Sequence, residues 1–152
     1  MESIYQQTKL IPMPELKTYD LFLSHAWRYN EDYYRLEEML RDAPLFNWRN
    51  YSVPKHDPLL DPNTYGGKAK LTELLGRQVK PVNCVLILGG MYAAHSEWIL
   101  KEIKLAQDYD KPILGIYPWG QKNMPLAIKN AADELVGWNT STIVSAIRRN
   151  SI

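Results

Sequence analysis

The sequence predicts an α/β fold: an open parallel sheet of five strands in the order 2-1-3-4-5, with helices on both faces. Three observations lead there. Short apolar runs alternate with amphipathic helical stretches from residue 19 to residue 149, the pattern of successive βα units. The run 82–88, centred on Val85-Leu86-Ile87-Leu88, is apolar on both faces, as suits a central parallel strand covered on each side. Parallel neighbours need right-handed crossovers, and the helical stretches lie between the strands to supply them.

Residues 1–18 are polar and broken by Pro12 and Pro14, so they read as a lead-in to one domain over 19–152. The first strand is expected at 19–24, Tyr-Asp-Leu-Phe-Leu-Ser. A helix follows over 30–42: Asn30 is a suitable N-cap, Glu31 and Asp32 favour the first turn, and Tyr33, Leu36 and Leu40 share a face. A second strand over 48–53 is stopped by Pro54, and a Pro/Asp/Gly loop runs from 54 to 67. The second helix is expected at 68–79, with Leu71, Leu74, Leu75 and Val79 apolar. The central strand, 82–88, contains Cys84 and ends at Gly89-Gly90. A third helix over 95–109, a strand at 112–117, a short helix at 125–132 opened by Pro125, a brief strand at 135–138 and a final helix at 140–149 complete the order.

Composition limits the function. The chain has 152 residues, 45% hydrophobic and 23% charged, and a chain of this length buries roughly 68–70% of its unfolded surface. A net charge of +1 lacks the footprint of a general nucleic-acid binder. No apolar run approaches the roughly 20 residues of a membrane span. The first residues carry Lys9 and no apolar core, so no secretory signal is expected. Cys84 is the lone cysteine, which excludes an internal disulfide and fits a reducing cytoplasm. Five Trp and ten Tyr exceed the needs of a small core, and several fall in expected loops.

Ligands of such sheets bind beyond the carboxyl ends of the strands. That rule gathers Ser24 to Arg28, the 54–67 loop, Gly89 to His95 and Pro118 to Asn123 around one crevice. The third helix feeds it. At about 100° per residue, Glu97, Lys101, Lys104 and Asp108 fall on a solvated side, with Glu97 and Lys101 spaced as an i,i+4 pair. Trp98, Ile99, Ile103, Leu105 and Ala106 fall on the opposite arc, and Glu102 projects among them. A carboxylate there is costly unless paired or used. Two readings stay open: an internal ion pair with an arginine such as Arg28 or Arg77, or a functional group.

Other motifs fail. Gly66-Gly67-Lys68 opens a helix, but a phosphate loop needs Gly where Asp61 stands and Ser or Thr where Ala69 stands; the glycines read as a loop hinge. His25, His56 and His95 are too scattered for a metal signature, so no metal is expected. Gly-x-Ser-x-Gly is missing, and adjacency of Ser24 and His25 does not build a triad. A phosphoacceptor receiver needs acids where Ser24-His25 and Gly89-Gly90 stand. A flavodoxin-like shape suits the element order, but the Ser/Thr-rich phosphate loop of an FMN protein is missing after the first strand.

The segments Tyr19-Asp-Leu-Phe-Leu-Ser-His25 and Ser96-Glu-Trp-Ile-Leu-Lys-Glu102 resemble the TIR superfamily. They look closest to the TIR-like domains that include the Thoeris antiphage subunit ThsB. The resemblance covers about residues 19–149, and its sharpest element is the Trp98-x-x-x-Glu102 spacing. It implies that Glu102 cleaves the nicotinamide–ribose bond of NAD⁺, a substrate rather than a cofactor. Ser24 or His25 would hold ribose or phosphate, Arg28 the pyrophosphate, Trp27 a ring, Asp57 a ribose, and Tyr92 would line the site; Trp119 is a further candidate. Strand-end hydrogen bonding, surface charge and packing are the alternative roles of these side chains. The resemblance further implies self-association through TIR-like surfaces, a downstream effector reached through a nucleotide product, and a phage-derived trigger. A non-catalytic module acting by self-association is the competing reading, and a deoxyribosyltransferase-like enzyme is a third.

Overall fold

The computed structural model describes residues 17–24, 31–52, 64–120 and 123–152. The strands β1 (Thr18–Leu23), β2 (Asn47–Asn50), β3 (Cys84–Leu88), β4 (Ile113–Ile116) and β5 (Glu134–Val136) form one sheet. Its order is β2-β1-β3-β4-β5, and each neighbouring pair is parallel. The α/β architecture with a 2-1-3-4-5 sheet is therefore as the sequence predicts, with β3 and its Cys84 at the centre. Most of the lead-in lies outside the described residues, as does the loop segment 53–63.

Among the described residues, four α-helices connect the strands and a fifth follows the last one: α1 (Glu31–Asp42), α2 (Tyr65–Val79), α3 (Tyr92–Asp108), α4 (Leu126–Ala131) and α5 (Thr140–Asn150). α1 packs with α5, whereas α2 and α4 pack with α3. Right-handed crossovers place those two groups on opposite faces of the sheet. Every residue of β3 and β4 is buried as a result, which explains why these strands are apolar throughout rather than alternating. The edge strand β2 instead exposes Asn47, Arg49 and Asn50, polar groups that discourage pairing with another chain. Opposite Arg49 in the register stands Asp20, and its carboxylate accepts from Nε at 2.6 Å and Nη2 at 3.1 Å.

Gly115 shows how closely the layers approach. A Cβ there would lie 2.7 Å from Leu135 Cδ2 and 3.0 Å from Ile128 Cγ2, so glycine lets α4 and β5 close over β4.

Several boundaries differ from expectation. α2 begins at Tyr65 rather than at residue 68, because Thr64 caps it by accepting the Gly67 N–H at 3.0 Å. Gly66 and Gly67 therefore sit in a first helical turn and not in a hinge. α3 begins at Tyr92, directly after a 3-10 turn over Gly89–Met91, rather than at His95. β2 ends at Asn50, and beyond it the Tyr51 N–H still donates to Leu21 O at 2.8 Å; Val53 lies outside the described residues. β5 ends before Trp138, whose indole N–H turns to donate to Tyr117 O at 2.7 Å.

Candidate active site

The carboxyl end of β1 is fastened on both sides by serine hydroxyls. Toward β3, Ser24 donates its N–H to Leu86 O at 2.7 Å and accepts the Leu88 N–H on Oγ at 2.8 Å. Toward β2, Ser52 Oγ donates to Leu23 O at 3.1 Å and accepts the Leu23 N–H at 3.3 Å. Side-chain oxygens thus continue the ladders where the backbones diverge. Ser24 makes the strand-end hydrogen bond that was its alternative role, with its oxygen as acceptor. Ser52 was not picked out in the sequence, where nothing marks its tertiary partner.

Beyond β3 the chain folds tightly against its neighbours. A Cβ on Gly89 would lie 2.7 Å from Met124 Sδ and 3.0 Å from Ile116 O, while one on Gly90 would meet the Asp32 carboxylate. The double glycine therefore brings the start of α1, the end of β4 and the start of α3 together at one rim. Tyr92 follows, half-buried against the core. On the α1 side, Arg35 pairs with Asp32 at 3.1 Å, and its guanidinium lies 3.8 Å from the Trp119 ring centroid and 5.8 Å from that of Trp138. Trp119 is 51% exposed and meets Trp138 edge-on at 5.4 Å.

α3 runs down from this rim with two different faces. Trp98, Ile99, Ile103 and Ala106 are buried, and Glu102 among them is 0% exposed. The helical phase read from the sequence is therefore correct. Among the described residues, Ser24 and Glu102 are the polar or charged side chains that are fully buried. On the outer face, Lys104 pairs with Asp108 at 3.2 Å. The expected Glu97–Lys101 pair is replaced: Glu97 meets Lys68 of α2, while the Lys101 ammonium sits 4.4 Å from the Trp98 ring centroid and donates to Thr72 Oγ1 at 3.4 Å. The Lys68 ammonium beside Glu97 holds its carboxyl below the usual carboxylate range. Arg77, one suggested partner of Glu102, lies at the surface on Glu73, and Arg28 lies outside the described residues.

The structure thus brings Ser24 and Tyr92 to one rim and places Glu102 further along the helix that leaves it, about 15 Å from Tyr92 by helical rise. His25, Trp27, Arg28 and Asp57 lie outside the described residues. Among the described residues, no group of three His, Cys, Asp or Glu side chains is arranged to hold a metal ion, and no helix is long and apolar enough to cross a membrane.

A parallel five-stranded sheet in the order 2-1-3-4-5, a carboxyl-edge rim built on Gly89-Gly90 and a buried glutamate on the following helix make this a small α/β domain of flavodoxin-like shape. Residues 22–123 match the family described as Thoeris protein ThsB, TIR-like domain, and the chain belongs to that family. The structure is similar to that of a conserved protein from Enterococcus faecalis V583, with 10% identity, a TM-score of 0.59, and coverage of 88% of this chain and 99% of that one. It is also similar to a CMP N-glycosidase, BcmB, from Clostridium botulinum, with 14% identity, a TM-score of 0.50, and coverage of 84% and 97%. At such identities the likeness is one of fold. No curated protein matches the sequence.

Proposed function

We propose that the chain is an NAD⁺-processing enzyme in prokaryotic antiphage defence of the Thoeris type. It cleaves the nicotinamide–ribose bond and makes an ADP-ribose-derived signalling nucleotide, which a downstream effector reads in the cytoplasm. One observation carries the reading: Glu102, four residues after Trp98, is a carboxylate at 0% exposure on the inner face of α3. Burying a carboxylate costs several kcal/mol as an order of magnitude, and a catalytic task is a reason to retain it.

The chemistry suits that residue. As the ribosyl C1′–nitrogen bond breaks, its electron pair moves to the pyridinium nitrogen and nicotinamide leaves neutral, so departure needs no strong acid. Positive charge develops on the ribosyl ring, and a fixed carboxylate in a dry site stabilises it. A water or an internal nucleophile then bonds to C1′, and its proton passes to Glu102 or to solvent. His25 is proposed for ribose or phosphate, Asp57 for a ribose, Arg28 for the pyrophosphate and Trp27 for a ring. NAD⁺ enters as substrate, and no cofactor is invoked. Self-association and a phage-derived trigger belong to the same proposal.

The Clostridium botulinum neighbour, by its name, acts on the N-glycosidic bond of CMP, so a second reading is cleavage of a pyrimidine nucleotide or a deoxynucleoside. Mass spectrometry after incubation with NAD⁺, CMP or deoxynucleosides, with and without phage protein, separates the readings. Nicotinamide release that disappears in Glu102→Gln supports NAD⁺ processing. Free base from the other substrates supports the second reading. No turnover of any of them leaves the scaffold.

A further inference from the structure

We infer that the cleft between α2 and α3 binds a phosphate-bearing small molecule, held by Lys101 and Lys68. The inference goes beyond the proposed reaction. The cleft has a volume of about 390 Å³ and is lined by Lys68, Ala69, Thr72 and Lys101. Its walls carry two ammonium groups, one hydroxyl and one methyl, and no carboxylate.

The two lysines are held differently. Lys68 is paired with Glu97 beside the cleft. Among the described residues, no carboxylate is in ion-pair contact with Lys101: its ammonium touches the face of Trp98 and the Thr72 hydroxyl. Neither contact supplies a full negative charge. The Thr72 hydroxyl hydrogen is committed to Lys68 O at 2.8 Å, so its oxygen accepts from Lys101. Thr72 and Trp98 therefore position the ammonium on the cleft wall, and the Glu97 carboxylate acts on it only through space, without an ion-pair contact among the described residues. The first turn of α2, which ends at Lys68, adds positive potential from its end of the helix dipole.

Charge and size point to phosphate. Lysine binds phosphate as a point charge. A phosphate or diphosphate competes with Glu97 for the two ammonium groups and offers them more charge than that single carboxylate, whereas a monocarboxylate only duplicates it. An apolar ligand would desolvate both cations without compensation.

The test is a titration of the full chain with inorganic pyrophosphate, followed by calorimetry and by backbone amide NMR shifts. Saturable binding with shifts centred on Ala69, Thr72 and Lys101 is expected. Lys101→Gln and Lys68→Gln should each weaken it about tenfold or more, the loss expected when a hydrogen bond to a charged group is removed. Lys111→Gln, on a different surface, should bind as the unaltered chain does. ADP-ribose should compete and adenosine should not; competition by inorganic phosphate alone would place a phosphomonoester there instead of a diphosphate, within the same proposal. Non-saturable binding, shifts located elsewhere, or unchanged affinity in both lysine variants would overturn it. So would a change of oligomeric state in Lys101→Gln at unchanged pyrophosphate affinity, which would give the cleft to the acidic surface of a second copy. Binding is read without turnover, so failure here leaves the Glu102 reading intact.

Discussion

Glu97 and Glu102 stand on the same helix five positions apart and inhabit different chemistry. Glu97 is exposed, meets Lys68 across the α2–α3 surface, and has its carboxyl held below the ordinary range by that ammonium. Glu102 is fully buried beside Ile99, Ile103 and Ala106. One carboxylate faces water that screens it, while the other sits where charge is expensive and electrostatic effects are large. Identical side chains acquire different environments from helical phase alone.

The largest expected effect tests the inner face. Glu102→Gln keeps the shape and removes the charge, so NAD⁺ turnover should fall by about 10²–10³. The urea midpoint should shift little, because glutamine keeps the shape of the side chain and its capacity to accept hydrogen bonds. Nicotinamide release and a urea melt on the same sample check both halves. Reduced stability with normal turnover would make Glu102 a structural residue and end its catalytic assignment.

Next comes Ser24, which with Glu102 is fully buried among the described polar side chains. Ser24→Ala strands the Leu88 N–H and should cost about 1–3 kcal/mol in urea unfolding. A cost near zero would mean that the end of β3 relaxes and finds another acceptor.

The buried start of β3 can be tested by pH. Burial pushes the Cys84 thiol up to about 12 from an ordinary 9.0, with Asp133 adding to the rise. A raised folded-state value stabilises the native form fully below the unfolded value. That contribution is lost as pH climbs from about 9 toward about 12. Cys84→Ala should therefore flatten this part of the stability profile, and native Cys84 should resist alkylation at neutral pH.

The smallest effect is reserved for the outer face. The lowered Glu97 value gives a contribution present above the ordinary carboxylate range and lost as pH falls through the folded value. Because the pair is exposed, the contribution should be slight and should shrink in salt. Glu97→Gln should leave turnover unchanged. A Glu97 variant that loses activity would invert the comparison.

The sheet order, the central position of 82–88 and the burial of Glu102 were legible because periodicity and patterning encode them directly. The start of α2 was not: Gly66-Gly67 argues for a loop, and only the Thr64 cap turns those residues into a helical turn. The partner of Glu97 was also hidden. Spacing offers Lys101 within the helix, but packing delivers Lys68 from another one. The cluster of Asp32, Arg35, Trp119 and Trp138 joins residues about a hundred positions apart, and no local pattern announces it. At the site, Glu102 was readable by phase, whereas the grip of Ser24 and Ser52 on β1 depends on strand pairing.

That grip sets how the end of β1 opens. The amides of Leu23 and Leu88 donate to hydroxyl oxygens, and a hydroxyl can change partners by rotating one bond. Deuterium should therefore enter these two amides through small local fluctuations, at rates insensitive to mild denaturant. The amides in the middle of β3 should exchange only when the whole sheet unfolds. The end of the first strand thus behaves as a seam that can loosen while the rest of the sheet stays closed.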